Sequence, residues 1–481
     1  MSVIFAWRKR KKSRLAGSKS PTLMALLSFA AAAGILALSP MGSAPVMAQE
    51  YIRDEEAVPG SVDQVVSPME LSFQEKAKIP RFFPWLKEQL KDTPAFFRDT
   101  KLNLNLRSFY LYRDKYDHGD KSEAGALGGA LAYQSGWFLD RFSIGSVLYT
   151  SQELYGPDTR DGTLLLKPRQ QGYTVVGQLY ARVKLVEDNF LNLYRYEYNT
   201  PYINKNDNRM TPNTFEGYTF NGAYGGKDDT LGFKYGGGYI TKIKERNSDE
   251  FVWMSRDAGA DVNRGVFVGG ANMSYKGLTF GAINYYSDDI INIFYTEASY
   301  KFKLTDRLGL LLAAQYTDQR SVGRDLLKGY SFDTEQLGLR GDLSYGGAVL
   351  SFGYTTDGEG ADLQSPWSGY PGYTSVQVQD FNRAGESAYI AKASYDFTKL
   401  GLKGVTAYAL FVHGWGRVDP TTRNPLPDEQ EINLDLQWRP HWDFLKGLWF
   451  RTRYANVRQY EGPKHTQDDF RFIVNYDIPL L

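Results

Sequence analysis

The residues with the clearest chemistry are eight basic side chains at polar positions of segments in which apolar and polar residues alternate. Arg451 and Arg453 are two residues apart, so in a β-strand both side chains point to the same face. Guanidinium groups bind carboxylates through paired hydrogen bonds, and a row of them in a narrow passage concentrates anions. The eight are Arg182, Lys184, Arg195, Arg340, Arg439, Arg451, Arg453 and Arg471. The sequence therefore predicts a row of basic side chains along the strands, although some of the eight could instead pair with acidic neighbours such as Asp342 or Asp435.

Catalysis and metal binding have little support in the sequence. The chain has no cysteine and four histidines, and it contains neither a His-Glu-x-x-His nor a Gly-x-Ser-x-Gly motif. His413 is a candidate catalytic histidine of a lipase, but no serine partner can be assigned to it by spacing. Asp114, Asp117 and Asp120 lack the final glutamate and the flanking helices of a calcium loop. We predict no catalytic residue, no metal site and no cofactor.

The scaffold that positions the basic residues is predicted to be a series of strands joined alternately by short turns and long loops. Leu434 and Leu436, for example, alternate with Asp435 and Gln437, which gives one face for lipid and one for water. Short turns are predicted at 187–189, 276–277 and 346–347. Longer polar stretches fall near 151–171, 199–214, 246–263, 319–330, 357–386 and 415–428.

Counting these segments gives about 18 strands, each near the ~9–11 residues of a tilted transmembrane strand. The prediction is an all-β fold, a transmembrane antiparallel β-barrel that closes within one chain and has long loops folded inward. A barrel of this size leaves an aqueous channel. A soluble propeller or β-helix would show a blade or rung repeat, and none is visible in the sequence.

The N-terminus has the pattern of an export signal. A basic stretch from Arg8 to Arg14 precedes an apolar stretch from Leu23 to Leu38, and small residues follow, so we predict a signal peptide over 1–48. Its removal takes away seven of the 56 basic residues and none of the 55 acidic ones, which leaves 49 against 55. This balance argues against a nucleic-acid partner. Residues 49–99 are rich in proline and are predicted to form a partly irregular leader on the periplasmic side, followed by the barrel over 100–481.

Four stretches of the chain resemble the OprD-type outer-membrane porins, also called outer-membrane carboxylate channels. These stretches are 145–157, 200–217, 265–298 and 366–386. The resemblance implies an 18-stranded barrel whose third and seventh loops form an eyelet, with a ladder of basic side chains that guides carboxylates. By position, Arg195, Arg451, Arg453 and Arg471 correspond to that ladder. The residues assigned to the eyelet loops are Asp207, Arg209, Asp362, Asp380 and Arg383.

The expected function is a passive, substrate-selective porin of the outer membrane of a Gram-negative bacterium. The expected solutes are small and carry a carboxylate, such as amino acids, small peptides or aromatic acids. A channel for neutral oligosaccharides is the alternative, because Trp367, Tyr370 and Tyr373 could stack on sugar rings; a barrel lipase is a more distant one. The expected partners are outer-membrane lipid and small solutes, and self-association into trimers is left open.

Overall fold

The computed structural model describes residues 79–115, 120–226, 230–460 and 466–481. The predicted signal peptide and residues 49–78 of the predicted leader lie outside the described residues. Alternating side chains form long antiparallel strands, and only β8, two residues long, lies in a loop. The strands are β1 (Lys101–Asp114), β2 (Lys121–Gln134), β3 (Phe142–Tyr155), β4 (Tyr173–Val186), β5 (Asn189–Tyr196), β6 (Thr214–Gly225), β7 (Gly232–Lys244), β8 (Val252–Trp253), β9 (Val266–Tyr275), β10 (Leu278–Ser287), β11 (Ile291–Lys303), β12 (Leu308–Arg320), β13 (Asp333–Tyr345), β14 (Ala348–Asp357), β15 (Ser387–Asp396), β16 (Val405–Trp415), β17 (Glu429–Trp438), β18 (Leu448–Gln459) and β19 (Thr466–Pro479).

The 18 long strands close into a barrel. Each pairs with its neighbour along the chain, β7 pairs with β9 past the short β8, and β19 pairs back with β1. In that closing pair Asn103 lies opposite Pro479 and Asp114 lies opposite Asp468. Closure gives every long strand two partners, so none of these 18 described strands has an open edge. The predicted barrel of about 18 strands is confirmed.

Short turns and long loops alternate between the two rims, as predicted. The turn at Lys276 and Gly277 joins β9 directly to β10, with φ angles of 44° and 85°. Two positive φ values in a row are typical of a type I′ turn, whose twist matches that of the strands it joins. At the opposite rim the long loops include 156–172, 197–213, 245–265, 321–332, 358–386 and 416–428.

Apolar residues face outward and polar residues face the barrel interior. On β17 the side chains of Leu434 and Leu436 are about half exposed on the outside, whereas Asn433 and Asp435 are buried inside. This arrangement reverses that of a soluble protein, because lipid surrounds the outside and water fills the lumen.

The segment before β1 lies along the rim that carries the short turns. It contains two short helices, α1 (Pro84–Gln89) and α2 (Ala95–Arg98). The Phe82 amide donates to the Pro479 carbonyl at 2.7 Å, and the Gly136 amide donates to the Phe96 carbonyl at 2.9 Å. These bonds attach the segment to the end of β19 and to the turn between β2 and β3. None of the described helices is long and apolar enough to cross a membrane.

Two long loops fold inward and pack against each other, as predicted. We name them L3 (197–213) and L7 (358–386). Tyr202 of L3 and Trp367 of L7 belong to one buried apolar cluster with lumenal residues such as Tyr285 and Tyr295. The indole nitrogen of Trp367 donates to the carbonyl of Met254 at 2.9 Å, in the short helix α3 (Met254–Asp257) between β8 and β9. The loops therefore form a second core inside the barrel, against one side of the wall.

Candidate functional site

Three of the predicted basic residues meet on adjacent strands. Arg453 of β18 lies directly opposite Arg471 of β19 and, on its other side, opposite Asp435 of β17. Arg451 is one step along the same face of β18, and all three arginines are buried inside the barrel. A carboxylate oxygen of Asp435 lies 2.7 Å from Nε of Arg451 and 3.3 Å from Nε of Arg453. Asp469 pairs with Arg471 at 2.7 Å.

Two further arginines from β1 extend this row, and the sequence prediction missed them. Nε of Arg107 donates to the side chain of Asn475 on β19 at 2.8 Å. Arg113 pairs with Asp469 at 2.7 Å. Both occupy the polar face of β1, so the alternation marks them as lumenal. What the sequence does not show is that β1 closes against β19, which brings them beside Arg471.

We call these five residues the basic column. They are Arg107, Arg113, Arg451, Arg453 and Arg471. Strand register places them on several successive levels of the wall, because same-face residues on one strand are about 7 Å apart.

The tip of L3 faces the basic column. Asp207 accepts two bonds from the guanidinium of Arg107, at 2.6 and 3.1 Å, which is the bidentate geometry of a strong ion pair. Arg209 is buried and donates to the carbonyls of Thr163 and Asn208, both at 2.8 Å. Burial lowers its pKa most, and the positive charges of neighbouring arginines lower it further.

A small, partly open cavity lies between the tip of L3 and the basic column. Its lining comprises Arg107, Phe109, Asp207, Asn208, Arg209, Trp449, Arg451, Arg453, Ile473 and Asn475. Four of these side chains are guanidinium groups and one is a carboxylate, so the cavity is electropositive. Trp449 lies 5.7 Å from the charge centre of Arg451 and 5.0 Å from that of Arg439, which places Arg439 next to the column.

Two other predicted basic residues lie on β4, apart from this cavity. The charge centre of Arg182 is 4.3 Å from the ring centroid of Phe190, a cation–π arrangement. Lys184 pairs with Asp140 at 3.1 Å in the turn between β2 and β3. These two residues are near the rim that carries the short turns.

Arg195 and Arg340 occupy two further strands. Arg195 on β5 pairs with Glu216 of β6 at 2.9 Å, and Arg340 on β13 pairs with Asp342 of the same strand at 2.6 Å. The structure therefore gathers Arg451, Arg453 and Arg471, with Arg439 beside them. It distributes the other predicted basic residues over different walls of the barrel.

The predicted L7 residues do not line the cavity in the described part of the chain. Asp362 pairs with Arg383 at 2.9 Å and accepts the amide of Ala384 at 2.9 Å, which ties the two ends of L7 together. Asp380 is partly buried within the loop and accepts a hydrogen bond from the hydroxyl of Ser375 at 2.6 Å. Burial raises the pKa of the Asp380 carboxyl. These contacts shape the loop, while Asp207 and Arg209 of L3 contribute directly to the cavity.

A closed 18-strand barrel with loops narrowing its lumen also describes a known family. The sequence model described as "outer membrane porin, OprD family" matches residues 94–480. This protein belongs to the OprD family. It is therefore an outer-membrane porin of a Gram-negative bacterium, a passive channel for small solutes and not an enzyme.

Individual relatives agree with this assignment. Porin D of Pseudomonas aeruginosa is 23% identical over 428 residues, which span 81% of this chain and 93% of Porin D. The crystal structure of P. aeruginosa OccK9 (OpdG) is 23% identical, with a TM-score of 0.71 over 80% of this chain and 100% of its own. P. aeruginosa OpdK with vanillate is 20% identical, with a TM-score of 0.69 over 80% of this chain and 100% of its own. These structures share the fold with this protein.

Proposed function

We propose that this porin carries small water-soluble solutes that bear a carboxylate, such as amino acids, small peptides or aromatic acids. The observation that carries the proposal is the cavity at the L3 tip, where four arginines and one aspartate form the lining. A carboxylate entering that space meets four guanidinium groups, the side-chain group best suited to binding carboxylates. A neutral solute of the same size gains no comparable attraction.

The acidic partners hold the arginines in place without cancelling their charge. In the basic column Asp435 serves both Arg451 and Arg453, and Asp469 serves both Arg113 and Arg471. Shared carboxylates leave an excess of positive charge along the wall. Successive levels of moderate attraction let an anion enter, move between sites and leave, which is what a diffusion channel requires.

One relative supports the same chemical class. OpdK of P. aeruginosa has been crystallised with vanillate, which is an aromatic carboxylate. Its barrel has the same fold as this one. The family resemblance also associates the third and seventh loops with an eyelet, and here L3 contributes Asp207 and Arg209 to the cavity beside the column.

The alternative solute, a neutral oligosaccharide, was suggested by aromatic side chains that could stack on sugar rings, and these side chains are buried. Trp367, Tyr370 and Tyr373 are each exposed by no more than 3%. Trp367 and Tyr370 pack in the apolar cluster between L3 and L7. Their rings contact protein on both faces and so offer no platform on which a sugar could stack. Self-association into trimers stays open.

The proposal is tested by replacing Arg451 and Arg453 together with glutamine. We expect the variant to lose much of its preference for anions, because two charges leave the cavity and Asp435 keeps its own. Reversal potentials in a salt gradient across a planar bilayer measure this preference. The matched control is the double variant Arg195→Gln and Arg340→Gln, which removes two charges from other walls. Equal shifts in the two double variants would contradict a localised site.

A further inference from the structure

One buried carboxylate on the barrel wall holds the tip of L7. Glu431 of β17 is fully buried. One of its oxygens accepts the backbone amide of Gln379 at 2.8 Å, and the other accepts that of Val378 at 3.0 Å. The side chain of Asn433 donates to the same group at 2.6 Å. Two consecutive backbone amides of L7 therefore depend on one side chain of the barrel wall.

The neighbouring residue, Gln377, attaches the same tip to the end of the basic column. Its carbonyl accepts a bond from Arg471 at 2.9 Å, and its side-chain amide donates to Asp469 at 2.8 Å. Its backbone amide points to the side-chain oxygen of Asn433 at 3.3 Å. The tip therefore covers Arg471, and it lies on β17 and β19 although L7 begins at β14 and ends at β15.

The tip is a compact unit that can be held or released as a whole. The amide of Val376 donates to the carbonyl of Gln379 at 2.9 Å, which closes a tight turn. Ser375 and Asp380 are bonded across the base of that turn. Val376 also packs against a small apolar cluster on β15 and β16. The contacts of the tip with β17 and β19 come from Gln377, Val378 and Gln379.

We propose that Glu431 is a positioning residue that holds the L7 tip over the basic column and thereby sets the width of the passage. With the tip in place, the main chain of Gln377 occupies Arg471. Without it, the passage widens on that side and Arg471 becomes accessible to a solute. The effect on carboxylates rests on the proposed function, whereas the effect on width does not.

The test compares Glu431→Ala with Glu429→Ala in planar bilayers. Glu429 lies two residues earlier on the same face of β17, and its ion pair, at 2.7 Å, is with Arg417, which follows β16. Both variants remove one carboxyl group from the same face of the same strand. We expect single-channel conductance in simple salt to rise in Glu431→Ala and to stay at the wild-type value in Glu429→Ala. Glu431→Gln, which keeps an acceptor oxygen, should give a smaller rise.

A labelling experiment reads the position of the tip directly. The chain contains no cysteine, so a Val378→Cys substitution introduces the only thiol. We expect a water-soluble maleimide to react faster with this thiol when Glu431→Ala is also present than when Glu429→Ala is. Unchanged conductance together with an unchanged labelling rate would overturn the proposal. A rise in conductance without any change in carboxylate uptake would support the positioning role and count against the proposed function instead.

Discussion

At the scale of single residues, the site is built from buried charges that share partners. An isolated buried charge costs several kcal/mol, so each arginine of the constriction needs an acceptor nearby. Asp435 holds Arg451 and Arg453 at once, and Asp469 holds Arg471 in the same way. Sharing keeps the arginines rigid while the wall stays positive. This combination suits the proposed passage, which attracts anions without trapping them.

Glu386, at the end of L7, gives a pH-dependent prediction. Burial raises its pKa to about 7, against the pull of the nearby Arg417, and Glu429 adds a repulsive charge. The protonated form is therefore favoured in the folded loop, and its stabilisation is complete below the ordinary pKa and lost as the pH rises towards 7. We expect the amides near Glu386 to exchange hydrogen faster at about pH 8 than at about pH 5, after correction for intrinsic rates.

The control for that measurement is Glu386→Gln, which keeps the shape of the side chain and does not titrate. The difference between the two pH values should disappear in this variant. An equal difference in wild type and variant would show that another group is responsible.

Much of the residue-scale site could be predicted, and the missing part has one physical cause. Alternation alone puts Arg451, Arg453 and Arg471 on the lumenal face. Which lumenal residues become neighbours depends on strand register and on barrel closure, which pairs residues more than 350 positions apart, such as Arg107 with Asn475. Period-two patterns carry no information on that pairing. The sequence could therefore predict that Arg107 faces the lumen, but it could not predict that Arg107 belongs to the basic column.

At the scale of elements, the loops determine the shape of the passage and the strands only support them. Trp367 of L7 is almost fully buried and bonds to Met254, 113 residues away. The positions of the long loops could be predicted from the sequence, because glycine, proline and asparagine favour turns through local backbone geometry. Loop conformation was not predictable, because it follows from packing between L3, L7 and α3, which are distant in sequence.

Trp367→Ala tests whether this packing keeps the loops in place. Removing a buried indole costs about 3–5 kcal/mol locally. We expect larger conductance fluctuations and weaker discrimination between solutes, while the thermal unfolding of the barrel changes little because the strands provide its stability. Trp442→Ala, at a tryptophan that is 46% exposed beyond β17, should leave both properties unchanged. If the current traces of Trp367→Ala fluctuate no more than those of the wild type, the loops are held by other contacts.

At the scale of the whole molecule, the barrel follows from two repeated features of the sequence. Alternation sets the inside and the outside, and the succession of short turns and long loops sets the strand order. An even number of long strands, 18 when the two-residue β8 is set aside, and a pairing of β19 with β1 complete the cylinder. The family match begins at residue 94, after α1, so the role of α1 could not be inferred from the barrel pattern or from the family match.

The account as a whole requires the pore to distinguish solutes by negative charge. Benzoate and benzamide have nearly the same size and shape, and only benzoate carries a carboxylate. The decisive measurement is their rate of entry into liposomes that contain the purified protein, relative to protein-free liposomes. We predict faster entry of benzoate, and an advantage that shrinks in the Arg451→Gln and Arg453→Gln double variant. Equal rates for the two solutes after subtraction of the rate in protein-free liposomes, or a faster protein-dependent entry of benzamide, would contradict the account.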